Sequence, residues 1–280
     1  MAIAGLNCQV RVGLPQAWAL NMSGYPPDWS RPWWRDWQPW IGPVWAAWHQ
    51  QALQQDDDTA CLPAVLNRFS QAAPVQFVPQ AALPDGQSYE GFIFEHRQVP
   101  TRDNLHDFFN AGCWQRFPQT KLKLNALQAE VIGRDGVGST RGPLRDALTL
   151  FDENALLLQA PHALWEALQR HDWNTLLVTH RQDWLASGRV RPVVLGHALL
   201  EKLCQPYKSI TAHAFWIDPQ VPAKTEAWDA WLAERLTAPF MATKPFQPLP
   251  VMGIPGWCAD NANAAFYADQ QVFRPLPTRR

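Results

Sequence analysis

The run TRDNLHDFFNA, residues 101–111, packs a histidine, two aspartates, two asparagines and an arginine into eleven positions. Placed on a helix at about 100° per residue, Leu105, Phe108, Phe109 and Gly112 line up as a stripe that faces a core. Asp103, His106, Asp107 and Asn110 share another arc, with His106 and Asn110 one turn apart and Asp103 and Asp107 likewise. An imidazole can ligate a metal or transfer a proton near neutral pH, and a carboxylate beside it can orient it or join it as a ligand. The same letters also suit a plain helix start. Thr101 is a good N-cap, Asp103 in the first turn complements the exposed amides, and His106 and Asn110 then face water.

Two further stretches carry similar groups. In GHALLEK, residues 196–202, His197 and Glu201 stand one turn apart while Leu199, Leu200 and Leu203 supply an inward face. A His-x-x-x-Glu pair is common by chance and is not the two-histidine H-E-x-x-H zinc pattern. RGPLRDALTLFDEN, residues 141–154, sets Arg141, Arg145 and Asp146 before Asp152, Glu153 and Asn154. Carboxylates in a loop would suit a hard cation such as Mg²⁺ or Mn²⁺, and an arginine fork would take phosphate or carboxylate. A hairpin turn with local ion pairs explains the same residues. Lys121 and Asn125 in KLKLNALQAE stand at helical spacing and fit either an anion site or a surface face.

Other chemistries lack their motifs. There is no G-x-S-x-G elbow, no P-loop in RDGVGSTRG and no G-x-G-x-x-G dinucleotide fingerprint. Cys8, Cys61, Cys113, Cys204 and Cys258 are scattered without a C-x-x-C, which argues against a zinc ribbon or a disulfide framework and fits a reducing compartment.

The elements that must position these groups read as follows. Five prolines between 26 and 43 interrupt a segment that holds eight of the 16 tryptophans within residues 1–50. Residues 1–42 are expected to wrap the core from outside, with an aromatic protein-binding surface as the functional alternative. A helix follows from Pro43 to Gln54, with Pro43 in its first turn. After the solvated break QQDDDTA comes a short helix, 62–72. VQFVPQ and YEGFIFEH read as extended segments, the second as a strand closed by Pro100. Helices are expected to Phe117 and over 121–132. ALTLFDENALLLQA reads as two strands around an Asp-Glu-Asn turn. Helices at 162–170, 181–186, 196–204 and 225–236 follow, with a strand at TAHAFWI, and 238–280 is an irregular Pro/aromatic-rich tail. The fold class is α+β, predominantly helical with short antiparallel strands, in one compact domain over 1–280.

Apolar residues are 47% and charged residues 18%, a globular balance. With 24 basic and 25 acidic residues the net charge is −1, so no concentrated positive footprint recommends nucleic acid as a partner. No stretch reads as a secretion signal or membrane span, which makes the cytoplasm the expected location.

Taken in order, VPTRDNLHDFFNAGCWQRFPQTKLKLN, RGPLRDALTLFDEN, GHALLEKL and LPVMGIPGWCADNANAAFYADQQVFRPLP resemble a bacterial family catalogued as domain of unknown function 3025, from roughly Trp37 to Pro277. The resemblance implies no reaction, substrate or cofactor. It singles out Arg102, Asn104, His106, Asp107, Asn110, Trp114, Lys121, Asn125, Arg141, Arg145, Asp146, Asp152 and Glu153. It also covers His197 and Glu201, and Trp257, Asn261, Tyr267 and Asp269. The chain departs from it at Gln128, where many relatives carry histidine, at Asn154, and at Gly112 and Cys113.

Two functions are carried forward. One is a metal-dependent hydrolase, with phosphate esters among its substrates. His106, Asp107, Asp152 and Glu201 would hold a divalent cation, and His197 or Glu153 would handle water protons. Arg145 or Lys121 would neutralise the anion, with Arg102, Asn110 and Asn125 binding substrate. The other is a non-catalytic scaffold for a small molecule or a protein, built round a buried polar network.

Overall fold

A computed structural model describes residues 27–54, 62–70, 73–136, 142–186 and 188–276. Arg141, Cys8, Cys61, most of the QQDDDTA break and the wrapping segment before Pro27 lie outside the described residues. Helix α1 spans Gln38–Gln54 and α2 Leu62–Phe69, followed by strand β1 at Gln76–Pro79. Then come α3 Tyr89–His96, β2 Gln98–Thr101, α4 Leu105–Arg116, α5 Pro118–Asp135 and α6 Pro143–Asn154. The remainder is β3 Ala155–Gln159, α7 His162–Gln169, α8 Arg181–Leu185, β4 Arg191–Val194, α9 His197–Lys202, β5 Thr211–Ile217, α10 Thr225–Arg235, α11 Ala238–Ala242 and β6 Gln247–Pro250.

The strands form two sheets. One pairs β1 with β2 in parallel, and the other has the order β4-β3-β5-β6. The chain is α+β, as expected, but the strands are not uniformly antiparallel, because β3 and β5 also run parallel. Strand β3, ALLLQ, is buried along its whole length between β4 and β5, which is why it reads as a continuous apolar run. The two edge strands each carry proline, Pro192 in β4 and Pro248 and Pro250 in β6, where a missing amide costs no inner ladder bond.

Helix α1 starts at Gln38 and keeps Pro43 inside, rather than beginning there. Among the described residues, five tryptophans of this segment lie inside the core, while Trp29 and Trp40 are half-buried against it. Trp33, Trp34, Trp37, Trp45 and Trp48 are buried in the core, with Trp34 stacked on Phe109, Trp48 stacked on Phe108, Trp45 edge-on to Phe108 and Trp37 against Phe117. Trp37 also donates its indole N–H to the carbonyl of Val194 at 3.0 Å, tying this segment to the edge of the larger sheet. Gly112 makes room for this layer, because a Cβ there would meet the Trp40 ring at 2.7 Å. Its presence in place of a larger aliphatic is therefore a packing requirement.

Three local expectations fail for local reasons. YEGFIFEH is helix α3, not a strand. The Ser88 hydroxyl accepts the Gly91 N–H, Glu90 sits in the first turn, and Arg97 closes the helix in the left-handed region at φ 55°. Thr101 caps nothing; it ends β2 and bonds its own strand, while Asn104 caps α4 by accepting the Asp107 N–H at 2.8 Å. ALTLFDENALLLQA is the end of helix α6 running directly into β3, so Asp152, Glu153 and Asn154 lie on the last helical turn. The tail is also more regular than expected, since α11 forms and β6 joins the sheet.

Candidate functional site

The site forms where α3, α4, α5, α6 and α9 meet, and the backbone sets it up. The N–H groups of Leu195 and Gly196 both donate to the carbonyl of Ala155, at 3.0 and 2.9 Å. The buried Cys113 thiol donates to the carbonyl of Leu195 at 2.9 Å. These contacts pin the start of α9 onto the junction of α6 and β3 and against α4. Gly196 allows the approach: a Cβ there would lie 2.4 Å from the Glu153 carbonyl oxygen and 2.5 Å from the Asn154 nitrogen.

His197 is thereby buried at the first position of α9, with Nδ1 2.9 Å from the backbone oxygen of Asp152. A carbonyl only accepts, so Nδ1 carries the proton. The second imidazole, His106 on α4, places Nδ1 3.0 Å from Oε2 of Glu201 and Nε2 3.1 Å from Nε2 of His197. The Glu201 carboxylate requires a proton on His106 Nδ1. The Nε2–Nε2 contact requires one more.

Burial lowers His197 to about 4, against the opposing charge of Asp152, so His197 is neutral at pH 7 and Nε2 is its lone pair. The hydrogen bond with Glu201 raises His106 above the ordinary histidine value, despite desolvation. The proton assignment is therefore a doubly protonated His106, donating to Glu201 on one side and to neutral His197 on the other.

A second chain of bonds continues behind the histidines. Lys121 on α5 donates to Asp152 Oδ1 at 2.5 Å and to Asn110 Oδ1 at 2.9 Å, and lies over the Trp114 ring. Asn110 in turn donates to the Tyr89 hydroxyl at 3.1 Å. Burial pulls the Asp152 pKa up, but Lys121 and His197 outweigh it and hold the carboxyl below its ordinary value. Tyr89 is pushed the other way, first by burial and then by the charges of Glu90, Asp107 and Asp152. It is a phenol, not a phenolate.

These groups line a cavity of about 470 Å³, within the range of small-molecule sites. Of the residues expected from sequence, Arg102, His106, Asp107, Asn110, Lys121, Asn125, Arg145, Asp152, Glu153 and His197 all line it. Glu201 enters through His106. Five segments separated in sequence do converge.

They do not converge as a cation site. Both Asp107 oxygens are committed to Arg102, Oδ2 to its backbone N–H at 2.6 Å and its Nε at 3.1 Å, and Oδ1 to Nη2 at 2.9 Å. Asp152 faces Lys121, and Glu201 faces His106. Among the described residues no three His, Cys, Asp or Glu side chains are gathered to hold a metal ion. Of the expected set His106, Asp107, Asp152 and Glu201, Asp107 is paired with Arg102, Asp152 with Lys121 and Glu201 with His106.

Tyr89 and Glu90 were missed because their segment reads as a strand; the Ser88 cap with Glu90 behind it is the signal that exposes the helix. Gln128 also lines the cavity, at the position where the resemblance leads to histidine. The C-terminal residues belong elsewhere. Asn261 is buried, donates to the carbonyls of Met252 and Ile254 and accepts from Arg181, while Tyr267 donates to the carbonyl of Gly253. Asp269 pairs with Lys208 at 2.8 Å. These groups hold the tail in place and do not line the cavity. Among the described residues no helix is long and apolar enough to cross a membrane.

A family model described as "Protein of unknown function (DUF3025)" matches residues 75–277. No curated protein and no solved structure matches the chain.

Proposed function

The chain belongs to the DUF3025 family, whose description assigns no reaction, and from the geometry we propose a hydrolase of a small anionic substrate, phosphate esters included, working by general acid–base catalysis. The single observation behind this reading is the hydrogen-bonded pair of unlike histidines on the cavity wall, His106 charged and His197 neutral. Two titratable groups whose environments drive their pKa values apart are the usual mark of an assigned acid and base. His106 supplies the proton for the leaving oxygen as its bond to the acyl or phosphoryl centre breaks, and Glu201 holds its ring in orientation. His197 is a positioning residue whose Nε2 lone pair holds the His106 Nε2 proton until the leaving oxygen replaces it as acceptor.

Water attacks the same centre and must lose a proton. The Glu153 side chain lines the cavity and makes no hydrogen bond or ion pair among the described residues, so it is the group left to take that proton. Glu153 then releases its proton to solvent and solvent returns one to His106, which closes the balance. Lys121 is less suited to substrate than sequence suggests, because Asp152 and Asn110 already occupy it. Arg145 is the better anion partner.

The saturation of Lys121, Asn110 and Asp107 favours a second reading, in which the network only specifies the fold round a non-catalytic binding cavity. A panel of p-nitrophenyl esters, phosphate and acyl, separates the two. The acid–base reading expects turnover by the unaltered chain that falls about 10²–10⁴-fold in His106→Gln. No turnover of any ester, or undiminished turnover in that variant, rejects it.

A further inference from the structure

On the wall made by α3, α5 and α6 the acid–base reading uses Arg145 as an anion partner and gives Glu90 and Asn125 no part. Asn125 is only 2% exposed. Its amide nitrogen donates to both the backbone oxygen of Glu90, at 2.9 Å, and Glu90 Oε2, at 2.7 Å. Turning the amide over would set its oxygen against a carbonyl and a carboxylate, so the orientation is fixed. Oδ1 is then a buried acceptor with no donor.

Arg145 is the complement. Its Nε is buried with no acceptor, and its guanidinium makes no ion pair among the described residues. Glu90 feels the charge of Arg145 without pairing with it. Every other arginine, lysine or histidine on the cavity wall has a bonded partner. Buried donors and acceptors are ordinarily satisfied, and a buried acceptor without a donor, a buried donor without an acceptor and a carboxylate with no cation paired to it describe, on one wall, the negative image of a ligand.

We propose that this wall recognises the head group of a small zwitterion, with an ammonium against Glu90 and Asn125 Oδ1 and an acid group in the fork of Arg145. The ligand class is an amino acid or an amino-alkyl phosphate, the two sharing an amine and an oxyacid a few bonds apart. A planar guanidinium takes either acid with two parallel hydrogen bonds. The inference rests on the cavity being the substrate site proposed above. It makes the hydrolysed bond part of an amino-acid-like molecule.

Calorimetric titration of the full chain tests it with glycine, L-serine, L-glutamate and phosphoethanolamine as zwitterions. Acetate, propionate, ethylamine and inorganic phosphate are the half-ligands. At least one zwitterion is expected to bind at least about tenfold more tightly than every half-ligand, since loss of one charged contact costs about that factor or more. Preference for phosphoethanolamine over the amino acids assigns the acid as phosphate, and the reverse assigns a carboxylate. Arg145→Met and Glu90→Gln should each weaken the best ligand about tenfold or more, with an unchanged circular dichroism spectrum. Affinity should survive His106→Gln, so failed ester turnover and failed recognition are separate results. Half-ligands binding as tightly as zwitterions, undiminished affinity in both variants, or no binding by any zwitterion overturns the proposal.

Discussion

Acid should weaken this protein through its buried histidines, His197 above all, with His49 and His213 shifted in the same direction by burial. An unfolded histidine titrates near 6.5, whereas burial holds the folded His197 at about 4. A depressed histidine pKa means the unfolded chain takes up the proton first, so stability is complete above about pH 6.5 and falls as pH drops toward 4. Linkage between those two values gives a loss of about 2 kcal/mol on going from pH 7 to pH 5, and about 3 kcal/mol once both states are protonated.

Protonation would also set two imidazolium N–H groups against each other across the 3.1 Å contact with His106, beside the Lys121 ammonium. Asp152 is the group that opposes this cost, and its own stabilising effect is lost only when acid reaches the carboxylate range. Urea unfolding at pH 7 and pH 5, on the unaltered chain and on His197→Gln, singles out His197 and the groups it touches, because titrations elsewhere cancel in the difference. The unaltered chain should lose about 2 kcal/mol more than the variant over that interval. Equal losses would refute the assignment of a buried neutral imidazole.

The remaining expectations follow from the same contacts. Lys121→Met leaves the buried Asp152 carboxylate without its cation and should cost about 3–5 kcal/mol in urea unfolding, whereas adding Asp152→Leu should recover much of that loss. Gly196→Ala drives a Cβ into the backbone of Glu153 and Asn154. It should cost about 1–3 kcal/mol and break the His197–Asp152 hydrogen bond, seen as a moved His197 imidazole resonance. Glu201→Gln should lower the His106 pKa in an NMR titration, because the Glu201 hydrogen bond is the largest cause of its rise. That contact stabilises the fold below the unfolded histidine pKa, and the benefit is lost as pH rises through the raised value.

Much of the site was readable from residue types, and little of it from local structure. The residues of α4, α5, α6 and α9 do meet, although ALTLFDEN reads as a strand followed by a turn and is helical. Which groups meet follows from the chemistry they carry; how they meet follows from tertiary contacts that spacing does not contain. Asp107 looks like a ligand until Arg102, five residues earlier, takes both its oxygens. Lys121 looks like a surface lysine until α6 brings Asp152 onto it. Gly112 and Gly196 show why in opposite places: one yields to a tryptophan ring, the other to a neighbouring backbone, and neither neighbour is close in sequence. The burial of the tryptophans was missed because irregular spacing with prolines hides a segment that packs by shape rather than by periodicity.

The central claim is a charged His106 in contact with a neutral His197, and the ring nitrogens report it directly. At pH 7, ¹⁵N spectra of the histidine side chains should show both nitrogens of His106 protonated. They should show His197 as the neutral Nδ1–H form with an unprotonated Nε2. Two neutral rings, or a proton on His197 Nε2, would contradict the account.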